Sequence, residues 1–409
     1  MVAMNTSTNR GILARGTALD LVAACAEVAA GRLRAGEALA QATGAADEPP
    51  CRHAYVRRFD AAARAAAAAI DALRDAGAPV PPLAGLAVSV KDLFDVAAMP
   101  STAASKSLRG AAPAAADCPA VARLRAAGAA LTGHTNLSEF AFSGVGINPH
   151  HGTPANATTA ALDPTPRVPG GSTSGGAVTV AAGAAWAALG SDTRGSIRVP
   201  AALHGLVGFK NTQALTPTAG SVPLSFTLDT ACAITRSVRD AVLLHELLAA
   251  RRVRLRGRTL RALRLALPRS MLDGLDATVA RAFERALSRL SEAGADIIDM
   301  SLPNDDNPAL SSGQISAAEA WAWHRSRLEL HQADYDPRVL ARIRSGSGVS
   351  AADYIDRLQA RRRWIAGVEA LATEVGRHFG GELDELIGIF GHGLLRREVR
   401  LLVSAARCG

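Results

Sequence analysis

The chain has 409 residues, with 45 Lys+Arg against 37 Asp+Glu and a formal net charge of +8 at pH 7. It contains no uninterrupted apolar run of about 18 residues that would read as a membrane span, and no hydrophobic N-terminal segment followed by a cleavage site. Its five cysteines, Cys25, Cys51, Cys118, Cys232 and Cys408, are odd in number and scattered, which argues for reduced thiols and a cytoplasmic setting rather than a disulfide framework.

A chain of this length can bury a large core, as one big domain or two. Residues 17–42 are rich in alanine and leucine at helical spacing, and residues 60–76 form a second, alanine-biased helix. Residues 86–90 read as a short buried strand. Residues 118–127 follow as a helix and 129–132 as a strand. The small-residue run 177–189 reads as a buried helix, and 238–250 as another. Residues 263–267, 276–293 and 297–300 read as strand, helix and strand. Residues 316–330 and 351–373 read as two long helices, expected to form a lid over the substrate. Such alternation predicts an α/β fold with helices on both faces of a sheet. No internal repeat is present.

Chemistry concentrates in residues 169–212. Ser172 lies in the turn Gly170-Gly171-Ser172-Thr173-Ser174-Gly175-Gly176. Ser196 lies in Asp192-Thr193-Arg194-Gly195-Ser196-Ile197-Arg198-Val199-Pro200. The apolar run between them puts two hydroxyls on loops at the edge of one rigid element, where chemistry usually sits. A serine nucleophile needs a base. The chain holds three lysines, Lys91, Lys106 and Lys210, all its other strong cations being arginine. Arginine stays protonated, whereas a desolvated lysine can accept a proton. Lys91 ends the apolar run Leu86-Ala87-Val88-Ser89-Val90, so its amine is predicted to be partly desolvated. Lys106 lies in a polar turn and reads as a surface charge.

These blocks resemble the amidase signature family of serine hydrolases. The glycine–serine turn around Ser172, the turn around Ser196 and Val90-Lys91-Asp92 match the family's pattern. So do the flanking segments Thr135-Asn136-Leu137-Ser138-Glu139-Phe140-Ala141 and Gly205-Leu206-Val207-Gly208-Phe209-Lys210. The similarity runs from about residue 82 to 235, with weaker support to about 370. The resemblance implies one mixed β-sheet wrapped by helices. Residues 1–78 would then be an N-terminal helical segment packed on the core. Residues 79–409 would be the signature domain, with its helical substrate side at 301–375. It also implies a Ser–Ser–Lys mechanism without cofactor or metal. Ser196 would be the nucleophile and Ser172 would link it to a neutral Lys91. The Gly171–Ser172 peptide would be cis. Backbone N–H groups of Thr193, Arg194, Gly195 and Ser196 would hold the oxyanion, with Gly171, Thr173, Asp192 and Arg198 supporting the site. Asp192 and Arg198 form either an ion pair that fixes the turn or two solvated charges.

Other chemistries fit less well. A phosphate cradle would need Gly-Lys-Ser or Gly-Lys-Thr, which is absent. No Gly-x-Ser-x-Gly elbow surrounds Ser196, so His204, eight residues on, reads as a core or supporting residue rather than a triad base. His150 and His151 are adjacent and point apart on either regular element, and no His-Glu-x-x-His or Cys-x-x-Cys occurs, so no metal is expected. The cluster Arg251, Arg252, Arg254, Arg256, Arg258, Arg261 and Arg264 lacks interleaved aromatics and reads as a solvated linker rather than an RNA patch. The expected partner is a small-molecule amide, with no nucleic acid bound directly and no membrane. A homodimer is compatible with this, as are amidotransferase partner subunits if the chain serves a tRNA-dependent amidotransferase.

The chain departs from the family's pattern in several places. Arg194 stands where a small residue is usual, so its side chain is expected to enter or rim the pocket, or to point to solvent. Asn211 replaces a proline and Cys232 a glycine. Past the last long helix the tail Phe379-Gly380-Gly381-Glu382-Leu383 to Gly409 resembles nothing in the family. The expectation is a truncated or frame-shifted C-terminus, an incomplete sheet and, as a third functional reading, an impaired enzyme.

Overall fold

The computed structural model describes residues 19–161, 164–253, 259–302 and 308–378. The tail beyond 378 lies outside the described residues, as do Cys408, Arg254, Arg256 and Arg258. The chain opens with α1 (Leu21–Ala29) and α2 (Ala35–Asp47), then β1 (Tyr55–Arg58), α3 (Asp60–Asp75), β2 (Ala87–Lys91), α4 (Pro119–Ala126) and β3 (Ala130–Thr135). The middle contributes α5 (Ser174–Ala182), β4 (Ala187–Ser191), α6 (Arg198–His204), β5 (Val207–Phe209), β6 (Ala231–Thr235) and α7 (Val238–Ala249). Then come β7 (Arg264–Leu267), α8 (Ala277–Glu292), β8 (Asp296–Asp299), α9 (Pro308–His331), α10 (Pro337–Ser345) and α11 (Ala351–His378).

The main sheet is six-stranded and mixed, in the order β1-β3-β2-β4-β6-β5. β2 runs parallel to both β3 and β4, while the β1–β3, β4–β6 and β5–β6 pairs are antiparallel. Every residue of β2, β3, β4 and β6 is buried. Strands covered on both faces read as continuous apolar or small-residue runs rather than alternating ones. The predicted α/β architecture, a mixed sheet wrapped by helices, is therefore the observed one. β7 and β8 pair in parallel as a separate two-stranded sheet, joined through α8, so the predicted strand–helix–strand segment does not extend the main sheet.

Three local differences have physical causes. Residues 17–42 do not form one helix. The chain turns between α1 and α2 at Gly31, whose φ of +74° is open to glycine without penalty. Residues 177–189 do not form one helix either. α5 closes on Gly183 in the left-handed region, and the run resumes as β4. An unbroken run of small apolar residues carries no period that separates a buried helix from a buried strand. Finally, β1 lies inside the segment read as wholly helical, and pairs with β3 at the sheet edge.

The N-terminal helices dock through a polar contact as well as apolar ones. Arg34 precedes α2 and provides no side-chain cap. The cap comes from α3 instead, where the buried Asp71 accepts the N–H groups of Ala35 at 2.9 Å and Gly36 at 3.0 Å. Cys25, Cys51, Cys118 and Cys232 form no disulfide. Among the described residues, no helix is long and apolar enough to cross a membrane. Replacing Asp71 with Ala leaves two helix N-terminal donors without their acceptor, the buried one of Ala35 among them, and is expected to lower unfolding free energy by about 1–3 kcal/mol in urea denaturation.

Candidate active site

Parallel neighbours β2 and β4 end on the same side of the sheet, and this alone brings Lys91 and Ser191 together. Carboxyl ends of parallel strands are where open α/β sheets hold ligands. Lys91 is the last residue of β2 and is 0 % exposed. Its Nζ lies 2.8 Å from Ser172 Oγ and 2.9 Å from Ser191 Oγ. Burial lowers its pKa from 10.5 to about 7, although the negative potential of Asp229 and then Asp192 works in the opposite direction.

Ser172 is fixed by its own backbone. The Gly171–Ser172 peptide is cis. The Ser172 carbonyl accepts the N–H groups of Ser138 at 3.1 Å and Ser174 at 2.9 Å, and Gly171 N–H donates to Gly144 O at 2.8 Å. A Cβ on Gly171 would fall 2.6 Å from Gly146 N and 2.8 Å from Ser138 Oγ, so only glycine fits. Thr173 joins the two serine loops, its N–H donating to Ser196 O at 3.2 Å and its hydroxyl to Ser191 O at 3.4 Å. Among the described residues, the hydroxyls of Ser172 and Ser196 form no direct hydrogen bond. Hydrogen bonds of catalytic groups are often long without substrate and tighten in the complex.

The turn bearing Ser196 is built around one carboxylate. Asp192 is 0 % exposed and accepts the N–H groups of Gly195 at 2.8 Å, Ile197 at 3.2 Å and Arg198 at 3.4 Å. Arg198 adds a two-pronged contact, Nε at 2.9 Å and Nη2 at 2.8 Å. Burial alone would raise the Asp192 pKa, but the Arg198 hydrogen bond and charge outweigh it and hold the carboxyl below its usual range. Of the two alternatives left open by the sequence, the ion pair is the one present. Asp192 also takes the N–H of Gly195, which commits one of the four expected oxyanion amides to the turn itself. Gly195 has φ of +119°, a conformation that side chains rarely adopt.

Arg194 is exposed, and its guanidinium lies 3.4 Å from where a Cβ on Gly313 of α9 would stand. It therefore rims the site beside α9. His204 is buried, its Nδ1 at 2.9 Å from Pro200 O, and burial lowers its pKa to about 4. His150 Nε2 lies 2.9 Å from Glu139 Oε1, and the backbone N–H of His151 donates to Asn148 Oδ1 at 3.0 Å. No group of three or more candidate metal ligands occurs among the described residues.

Two residues that sequence reasoning missed complete the centre. Ser191 holds the Lys91 amine, and its position just before Asp192 in the matched block was the available signal. Asp229 is 8 % exposed. It accepts Thr193 Oγ1 at 2.5 Å, Leu224 N–H at 2.9 Å and Ser225 N–H at 3.1 Å. The helices on the predicted substrate side are anchored close by. Glu319 of α9 accepts Thr227 Oγ1 at 2.7 Å, Tyr354 of α11 at 2.6 Å and Ser225 Oγ. Asp336, ahead of α10, donates its N–H to Glu139 at 2.7 Å.

The chain resembles known proteins over most of this architecture. It is 38 % identical over 337 residues to the 2-amino-5-chloromuconic acid deaminase of Comamonas testosteroni, covering 80 % of this chain and 71 % of the relative. It is 35 % identical over 284 residues to a glutamyl-tRNA(Gln) amidotransferase subunit of Koribacter versatilis (strain Ellin345), covering 66 % of this chain but only 58 % of that relative. A solved structure described as an amidase superposes with a TM-score of 0.80 at 35 % identity, covering 86 % of this chain and 79 % of that one.

Replacing Asp192 with Ala would leave the half-buried Arg198 without its carboxylate and release three backbone donors. It is expected to destabilise the fold by about 3–5 kcal/mol, read as a lower denaturation midpoint. The Amidase family model matches residues 38–363, and the chain belongs to the amidase family, hydrolases acting on carbon–nitrogen amide bonds.

Proposed function

We propose that this chain hydrolyses a small-molecule carboxamide to a carboxylate and ammonia or an amine, through an acyl-enzyme on Ser196. The observation that carries this is the fully buried Lys91 amine, 2.8 Å from Ser172 Oγ on the loop that Thr173 ties to Ser196. A neutral amine has one lone pair. With Ser191 accepting one of its N–H bonds, the lone pair is directed at the Ser172 hydroxyl proton.

The protons then move in order. Ser172 gives its proton to Lys91 and takes that of Ser196, whose Oγ attacks the amide carbonyl. Backbone N–H groups of the 193–196 turn, other than the one committed to Asp192, would hold the developing oxyanion; losing one such donor typically raises a barrier by about 2.7–4 kcal/mol. Ser172 returns a proton to the departing nitrogen, and the carbon–nitrogen bond breaks. Water then cleaves the ester by the same relay, releasing the carboxylate and restoring Ser196.

The substrate is placed by chemistry alone: an acyl group with a free or simply substituted amide. A second reading, an amide-hydrolysing subunit that supplies ammonia within a tRNA-dependent amidotransferase, is favoured by the similarity to the amidotransferase relatives. The free-standing reading comes first because the deaminase is 38 % identical over 337 residues, whereas an amidotransferase relative that matches the same 80 % of this chain is 35 % identical.

The protonation state of Lys91 governs the pH profile. Below about 7 the amine is cationic and cannot accept a proton, so kcat/KM is expected to climb about tenfold per pH unit and level off above that value. A fluorophosphonate probe is expected to label Ser196, and the label should vanish in Ser196→Ala. Lys91→Ala and Ser172→Ala should each lose about 10²–10⁴-fold in kcat. A labelled but fully active Ser196→Ala protein would overturn the nucleophile assignment. Activity that appears only with added partner subunits would favour the amidotransferase reading.

A further inference from the structure

Asp229 lies outside the segments that carry the two serines and Lys91, yet it is bonded to the Ser196 turn and lines a recess with Ser191. One carboxylate oxygen holds Thr193, the residue after Asp192 in the Ser196 turn. The other holds the N–H groups of Leu224 and Ser225 and so shapes the 224–229 loop. The carboxylate also helps to wall a narrow recess with Leu93, Phe94, Ser221, Val222 and Ser191, and Ser191 is one of the two hydroxyls that hold the Lys91 amine. Within that recess the facing charges are screened less than at the surface.

On the reading of Lys91 as the base, we propose that Asp229 is a positioning residue that sets the basicity of Lys91 and, through Thr193, seats the turn that presents Ser196. The other ionisable groups facing Lys91 contribute less than Asp229. Asp192 has its charge matched two-pronged by Arg198, and Cys232 is kept a neutral thiol by burial. Asp229 has no cationic side chain bonded to it among the described residues, and its hydrogen bonds come from a hydroxyl and two amides. Burial raises its pKa to about 6, against the pull of Thr193, Ser225, Leu224 and Lys91. The carboxylate is thus charged in the range where Lys91 loses its proton, and it opposes that loss. Without it the amine would be neutral over a wider range but a weaker base. The same loop is tied to α9 and α11 through Ser225, Thr227, Glu319 and Tyr354.

Asp229→Asn and Asp229→Glu separate field from scaffold. The Asn variant is expected to move the acid limb of kcat/KM down by about one pH unit or more and to lower the plateau. The Glu variant should return the limb to within about 0.3 unit of the wild type. A lower plateau with an unmoved limb in Asp229→Asn overturns the proposal and leaves a purely structural role. A second measurement needs neither turnover nor the Asn variant. In wild-type protein with ¹³C-labelled aspartate carboxyls, the Asp229 signal, assigned through Asp229→Glu, should shift at its own titration near 6 and again as Lys91 titrates near 7. A signal blind to the second step overturns the proposal even if the protein proves inactive on amides, whereas inactivity with coupling intact counts only against the amidase reading.

Discussion

A lysine amine enclosed at the C-terminal ends of two parallel strands is the constraint on which the site depends. An ammonium in that position would forfeit its hydration shell, and the nearby hydroxyls replace only part of it. A pKa lowered from 10.5 to about 7 corresponds to roughly 5 kcal/mol in favour of the neutral form. The sheet imposes this cost through topology. β2 is central, flanked by β3 and β4, and covered on both faces, so its terminal side chain has no route to bulk water. The polarity needed to keep the amine useful comes from Ser172 and Ser191 on two different loops.

Around that centre, carboxylates act as fasteners. Asp192 gathers three amides and an arginine and thereby defines the Ser196 turn. Asp229 ties that turn to the 224–229 loop. Glu319 ties the loop to the long helices, and Glu139 receives the segment that starts α10. Each is buried, and each is satisfied by hydrogen bonds that truncation to alanine would break. Buried polar groups of this kind add little net stability when paired and cost several kcal/mol when orphaned. Their contribution lies in holding one geometry. This is what the site needs, since a misplacement of about 1 Å can cost a hundredfold in rate.

Much of this was legible in the sequence, for reasons that differ by residue. Lys91 stood out because it is one of three lysines in an arginine-rich chain and ends an apolar run. The two serine turns stood out because glycines and hydroxyls cluster there between apolar segments. Asp192 and Arg198 were recognisable as a pair, though spacing alone could not say whether the pair was closed. The 177–189 run misled because small apolar residues suit a buried helix and a buried strand equally. Only Gly183 marks the break. β1 and β5 are too short, at four and three residues, to show a period. Asp229 was invisible as a site residue because its role comes from a tertiary approach to Thr193 and Ser191, and no local pattern encodes that. The helices of the predicted substrate side were found, but their fastening through Glu319 and Tyr354 was not, for the same reason.

The central claim is that the Lys91 amine becomes neutral above about pH 7 in the folded protein. With only three lysines in the chain, ¹³Cε-lysine NMR resolves each one, and Lys91→Arg identifies the signal. The account predicts a Lys91 titration near 7 in the ligand-free protein. A Lys91 signal that remains that of an ammonium up to about pH 10, like an ordinary solvated lysine, would contradict it.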